Sequence, residues 1–141
     1  MTNLSLKEVL KQMENEKRQS KWAFPCARIG EEMDEISDFI ANGDIEGRYT
    51  ALLVFEEEYV NISKHAYPNG EGGPLFVTVA SSKKGTEMVF VDAGIPFDPT
   101  LYVVEKNEDN IGGHGIELIK EYSRSVKYKR LYGLNILRIV V

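Results

Sequence analysis

Cysteine occurs once in the 141 residues, at Cys26, so no internal disulfide can form and the chain must hold its fold by packing alone. No apolar run approaches the roughly 18 residues that a membrane helix requires. The opening residues Met1-Thr2-Asn3-Leu4-Ser5-Leu6-Lys7-Glu8 carry no apolar core of a secretory signal. These absences together predict a cytoplasmic protein with no membrane partner. Positive charge is also in deficit, with 17 Lys and Arg against 22 Asp and Glu, a formal net charge of −5. Direct nucleic-acid binding, which needs clustered cations across the whole footprint, is therefore not expected. Lys120, Arg124, Lys127, Lys129 and Arg130 do concentrate near the C-terminus, where they form either a solvated face or a docking surface for an acidic partner.

With 43% hydrophobic and 28% charged residues, the composition suits one compact domain. Ser5 and Glu8 have capping-box spacing and predict a charged helix over about 5–18, within an N-terminal helical extension of residues 1–19. Pro25 confines the segment 21–27 to an edge strand. Ile29, Met33, Ile36 and Ile40 recur at helical spacing, giving a helix over about 30–42 that Gly43 stops. A longer helix is predicted over 45–66. At 100° per residue, Leu52, Phe55, Tyr59, Ile62 and Ala66 form its apolar stripe, while Glu57, Asn61 and His65 line a separate polar one. Alternating runs at 75–79 and 87–91 make a hairpin through Lys83-Lys84-Gly85, and 126–130 with 135–141 make another around Tyr132-Gly133. The sum is an α+β two-layer sandwich over 20–141, with helices on one face of a mixed, mainly antiparallel sheet. Residues 94–111 form a long aperiodic connection of the kind that serves as a lid or binding loop.

Three stretches carry chemistry. Glu57 and Asn61 are four residues apart, which stacks their side chains about 6 Å apart along a helix. The carboxylate suits a general base and the amide oxygen suits Mg²⁺, while His65, further along that line, is placed to donate to a phosphate. Asp92 ends an apolar strand, where a carboxylate needs a partner, and the exocyclic amine of adenine is one. Gly94 beside it permits a turn and the close approach of a flat ring. Gly112-Gly113-His114-Gly115 leads into a helix beginning near Ile116, so free backbone N–H groups and the positive end of a helix dipole point at an anion. The GxxxxGK[ST] phosphate loop and the dinucleotide fingerprint are both absent.

In order and content, E-x-x-x-N-x-x-x-H-A-Y at 57–67, D-x-G-x-P-F-D-P at 92–99 and G-G-x-G at 112–115 resemble the histidine-kinase-like ATPase domain shared by gyrase, sensor histidine kinases, heat-shock chaperones and mismatch-repair proteins. Within that group they look most like the bacterial anti-sigma-factor serine/threonine kinases. The resemblance covers about residues 20–141. It implies ATP and Mg²⁺ as cofactors, with Glu57 as catalytic base and Asn61 as metal ligand. Nucleotide contacts are implied from Asn61, His65, Asp92, Gly94, Pro96, Phe97, Gly112, Gly113, His114, Gly115 and Ile116. It further implies phosphorylation of a serine on a small antagonist protein, sequestration of a sigma factor, and a possible homodimer. The alternative is a non-catalytic, ATP-gated protein-binding module. Glu117 departs from members that place a hydroxyl there, and the helix dipole favours its pointing outward.

Overall fold

A computed structural model of the protein describes residues 16–24, 31–67, 72–101 and 114–141. The helix start predicted at Ser5, Pro25, Cys26, Gly112, Gly113 and most of the 94–111 connection lie outside the described residues. The elements are β1 (Glu16–Phe24), α1 (Glu31–Asn42), α2 (Arg48–Asn61) continuing as a π-helical turn (Ile62–Ala66), β2 (Leu75–Ser82) and β3 (Gly85–Asp92). A 3₁₀ turn (Pro99–Leu101), α3 (His114–Tyr122), β4 (Ser125–Leu131) and β5 (Leu134–Val140) complete them.

The five strands form one sheet in the order β1-β2-β3-β5-β4. Every pairing in it is antiparallel, so the parallel component implied by a mixed sheet is not found among the described residues. Alternation decides its two faces. Leu75, Val77 and Val79 of β2, Met88 and Phe90 of β3, and Leu137 and Ile139 of β5 are buried under the helices. The middle helix α2 packs against both α1 and α3. It inserts Ala51, Val54, Phe55 and Tyr59 into this core. Phe55 stacks on Phe90 with ring centroids 6.0 Å apart, and Tyr59 lies edge-on to Phe24. At the β4–β5 turn, Tyr132 and Gly133 have φ of 52° and 76°, the left-handed pair of a type I′ hairpin.

Two elements differ from expectation. Residues 16–18, assigned from sequence to a charged helix, begin the edge strand β1 and pair with Ser81 and Ser82 of β2. The open backbone edge of β2 supplies that pairing, and it does not require apolar alternation in Glu16-Lys17-Arg18-Gln19. Second, the long helix begins at Arg48 instead of 45 and widens into a π turn after Asn61. There Ser63 Oγ donates to the Tyr59 carbonyl at 2.9 Å, taking up an oxygen of the regular ladder.

The basic cluster is partly structural. Arg124 Nη1 donates to the Lys84 carbonyl at 2.7 Å and Arg130 Nη1 to the Gly94 carbonyl at 2.9 Å, while Lys127 and Lys129 are exposed on the edge strand β4. A buried group the sequence did not single out ties the α1–α2 connection to the sheet. Ser81 Oγ accepts from the Glu46 N–H at 2.7 Å and lies 3.0 Å from Thr86 Oγ1, which donates to the Glu46 carbonyl at 2.5 Å.

Candidate nucleotide site

The last turns of α2, the end of β3 and the loop that follows it enclose one cavity with β4 and β5. Its lining includes Glu58, Asn61, His65, Asp92, Phe97 and Asn135. Asp92 sits where the buried face of β3 runs out, 7% exposed. Its Oδ1 accepts from the Gly94 N–H at 2.9 Å and from Asn135 Nδ2 at 2.9 Å. No hydrogen bond of its Oδ2 occurs among the described residues, which leaves that oxygen to a ligand. The carboxylate is therefore aimed: two donors fix one oxygen, and the free one borders the cavity.

Asn135 is the hub of this arrangement and was not anticipated from sequence. Its Nδ2 also donates to the Ile95 carbonyl at 2.7 Å, and its Oδ1 accepts from Tyr128 Oη at 2.6 Å. One amide thus joins β3, the 94–97 loop and β4. The available signal was an amide at an inward position of an apolar alternating strand, in line with Leu137 and Ile139. Asn135→Ala strips these bonds and leaves Tyr128 Oη and one side of Asp92 unsatisfied. It is expected to cost about 1–3 kcal/mol of stability and to weaken nucleotide binding about tenfold, measured by urea unfolding and calorimetry.

Gly94 is needed for a reason other than the approach of a ring. A Cβ there would collide with the Ala66 carbonyl, which accepts from the Ile95 N–H at 2.9 Å, so the glycine lets the loop close onto the π turn. Gly94 itself is buried and does not line the cavity. Tyr67 fastens the same corner, its hydroxyl donating to the Pro74 carbonyl at 2.5 Å and accepting from the Ala93 N–H at 2.9 Å.

The predicted polar line on α2 divides. Asn61 and His65 reach the cavity, whereas Glu57 is not among its lining. Glu57 instead meets the start of α3, where a Cβ on Gly115 would come within 2.5 Å of Glu57 Oε2. Gly115 therefore allows the carboxylate to lie against the first turn of a helix whose amides point at anions. His114 opens α3; the Ile116 side chain is buried, which leaves only its backbone N–H for a ligand. Phe97 lines the cavity and is 41% exposed, Pro96 is exposed outside it, and Glu117 is exposed as the dipole argument requires.

A second residue missed from sequence is Glu58. It falls on the apolar stripe, three residues after Phe55 and four before Ile62, so it turns toward the core and is 7% exposed. Burial, reinforced by the charge of Asp92 and opposed by the neighbouring Asn61 amide, pushes its carboxyl up from 4.5 to about 8. A carboxyl on an apolar stripe was the visible signal.

Among the described residues, no helix is long and apolar enough to cross a membrane. A sequence model of the histidine kinase-like ATPase domain matches residues 27–141. One curated relative, the serine/threonine-protein kinase BtrW of Bordetella bronchiseptica, is 27% identical over 93 residues. That match covers 62% of this chain and 66% of the relative, just under two thirds of its length.

Proposed function

The chain belongs to the histidine kinase-like ATPase family, and on that premise we propose that it is an ATP- and Mg²⁺-dependent serine/threonine kinase of the anti-sigma type. Its substrate is a serine of a small antagonist protein, and it sequesters a sigma factor when that antagonist is unavailable, working as a homodimer in the cytoplasm. The observation that carries the nucleotide reading is the aimed carboxylate of Asp92, with one oxygen held by Gly94 and Asn135 and the other free to accept from an exocyclic amine. The printed activity of the 27%-identical relative supports the kinase reading.

The residues present fit Mg²⁺ in a particular way. Among the described residues, no group of three or more His, Cys, Asp or Glu able to hold a metal occurs. A single amide oxygen from Asn61 suits an ion that keeps several waters and shares the phosphates of its nucleotide. When bound, Mg²⁺ neutralises charge on the transferring phosphoryl group. The chain supplies the rest. Asp92 orients the base, the amides at the start of α3 hold phosphate oxygens, and Glu57, lying against that same turn, takes the proton of the acceptor hydroxyl. Phosphoryl transfer needs positioning and charge neutralisation more than covalent help, so this sparse set suffices.

Asn61→Ala is expected to weaken ATP binding about tenfold or more in the presence of Mg²⁺ and to change metal-free binding much less. Calorimetry with and without chelator checks this. Equal Mg²⁺-dependent affinities of variant and wild type would remove Asn61 from the metal site.

A further inference from the structure

Asn135 has no hydrogen-bonding capacity left for a ligand. Both hydrogens of its Nδ2 are committed, one to Asp92 Oδ1 at 2.9 Å and one to the Ile95 carbonyl at 2.7 Å. Its Oδ1 accepts from Tyr128 Oη at 2.6 Å and from the Phe97 N–H at 3.4 Å. An amide with two donor and two acceptor positions, all filled, belongs to the scaffold and does not read the base itself. Resting on the nucleotide reading of this cavity, we propose that Tyr128 is a positioning residue for base selection. Its hydroxyl anchors the Asn135 amide, the amide holds Asp92 Oδ1, and Asp92 Oδ2 is thereby aimed at the exocyclic amine of a 6-amino purine.

The geometry puts this role on the hydroxyl. Of the two donors to Asn135 Oδ1, the backbone N–H at 3.4 Å is long, whereas the hydroxyl at 2.6 Å is short and holds the oxygen. The terminal torsion of an asparagine has a broad preference, so its amide plane is set by partners and not by its own rotamer. Asn135 is 5% exposed, which leaves little water to replace a lost partner. Tyr128 lies opposite Leu137 in the β4–β5 register, so its ring reaches diagonally along β5 to place the hydroxyl on Asn135. That ring also packs against the apolar core. A phenylalanine would fill the same space, so packing does not call for the hydroxyl; the amide does.

Arg130, on the same side of β4, holds the Gly94 carbonyl at 2.9 Å. The edge strand therefore fixes the loop after Asp92 at two points, but only the Tyr128 route ends on the carboxylate. Loss of that route loosens Asp92 and weakens the bond it makes to an amino group. A 6-oxo purine sets a carbonyl against the same oxygen and makes no such bond, so its affinity does not depend on Tyr128. The effect is thus expected in the ratio between the two purines, where a general loss of stability would not appear.

The test is calorimetric binding of ADP and IDP to the full chain and to Tyr128→Phe, Asn135→Ala, the double variant and Asp92→Asn. Tyr128→Phe is expected to weaken ADP about fivefold and to leave IDP within about twofold, the scale of one neutral hydrogen bond. A wild-type ADP to IDP ratio in Tyr128→Phe, even with a lowered urea midpoint, overturns the positioning role. In the Asn135→Ala background Tyr128→Phe is expected to change the ratio no further, because its route to Asp92 is already gone. A full further loss there would mean that Tyr128 touches the nucleotide directly, which also overturns the proposal. A second measurement needs only the single variant. Solvent exchange of the Asn135 side-chain amide hydrogens, followed by ¹⁵N NMR in the nucleotide-free protein, is expected to speed up about tenfold in Tyr128→Phe; unchanged exchange would show that the hydroxyl does not anchor the amide. Asp92→Asn separates the two levels of the reading. If ADP affinity survives Asp92→Asn, the cavity is not the base site at all. If Asp92→Asn abolishes ADP binding while Tyr128→Phe keeps the wild-type ratio, only the role of Tyr128 is overturned.

Discussion

Glu57→Ala is expected to slow phosphoryl transfer by about 10²-fold or more while leaving ATP affinity nearly unchanged, the signature of a lost general base. The separation follows from where the side chain lies. Glu57 is outside the cavity that contains Asp92 and Asn61, so nucleotide contacts survive its removal. Its Oε2 instead lies against Gly115 in the first turn of α3, beside the amides assigned to the phosphates. Glu57→Gln keeps the shape and removes the basicity, and it should lose nearly as much rate as alanine. Single-turnover transfer to the partner protein, with ATP affinity measured in parallel, provides the check. Full-rate transfer by either variant would show that Glu57 is not the base. A wild-type protein that binds ATP and its partner but transfers nothing would favour the ATP-gated binding module.

The second large effect concerns stability. Glu58 holds its proton up to about pH 8 in the folded protein and only to about 4.5 when exposed. Between these values folding takes up a proton, so stability falls as pH rises from about 4.5 and levels off above about 8. At about 1.4 kcal/mol per pH unit, the penalty at pH 8 has an upper limit of roughly 5 kcal/mol, and relaxation of the site reduces it to a few. Glu58→Gln cannot ionise. It is therefore expected to be more stable than wild type by about 2–4 kcal/mol at pH 8 and to match it near pH 5. Urea midpoints of the apo proteins at pH 5, 6.5 and 8 decide the matter; parallel pH profiles would mean that Glu58 ionises freely in the folded state.

Much of the architecture was legible locally. Ile36 and Ile40 at helical spacing, the alternating runs that became β2 with β3 and β4 with β5, and Tyr132-Gly133 at the tight turn each report a geometry that neighbouring residues impose on one another. The boundaries that failed depend on distant partners. β1 reaches back to Glu16 because β2 offers an open edge, and helix α2 widens after Asn61 where Ser63 caps the Tyr59 carbonyl. Neither event has a period that a window of sequence could contain.

The candidate site divides along the same line. From sequence alone follow the order of its parts, the apolar stripe of the long helix and the carboxylate ending β3, since spacing on one helix or strand sets which residues share a face. Tertiary structure alone decided that Asn61 and His65 reach the cavity while Glu57 meets Gly115, that Asn135 orients Asp92, and that Gly94 exists to clear Ala66. It also decided that Glu58 is buried beside Asp92. These are contacts between elements far apart in the chain, created when the helices pack on the sheet, and burial there sets the electrostatics that no local pattern records.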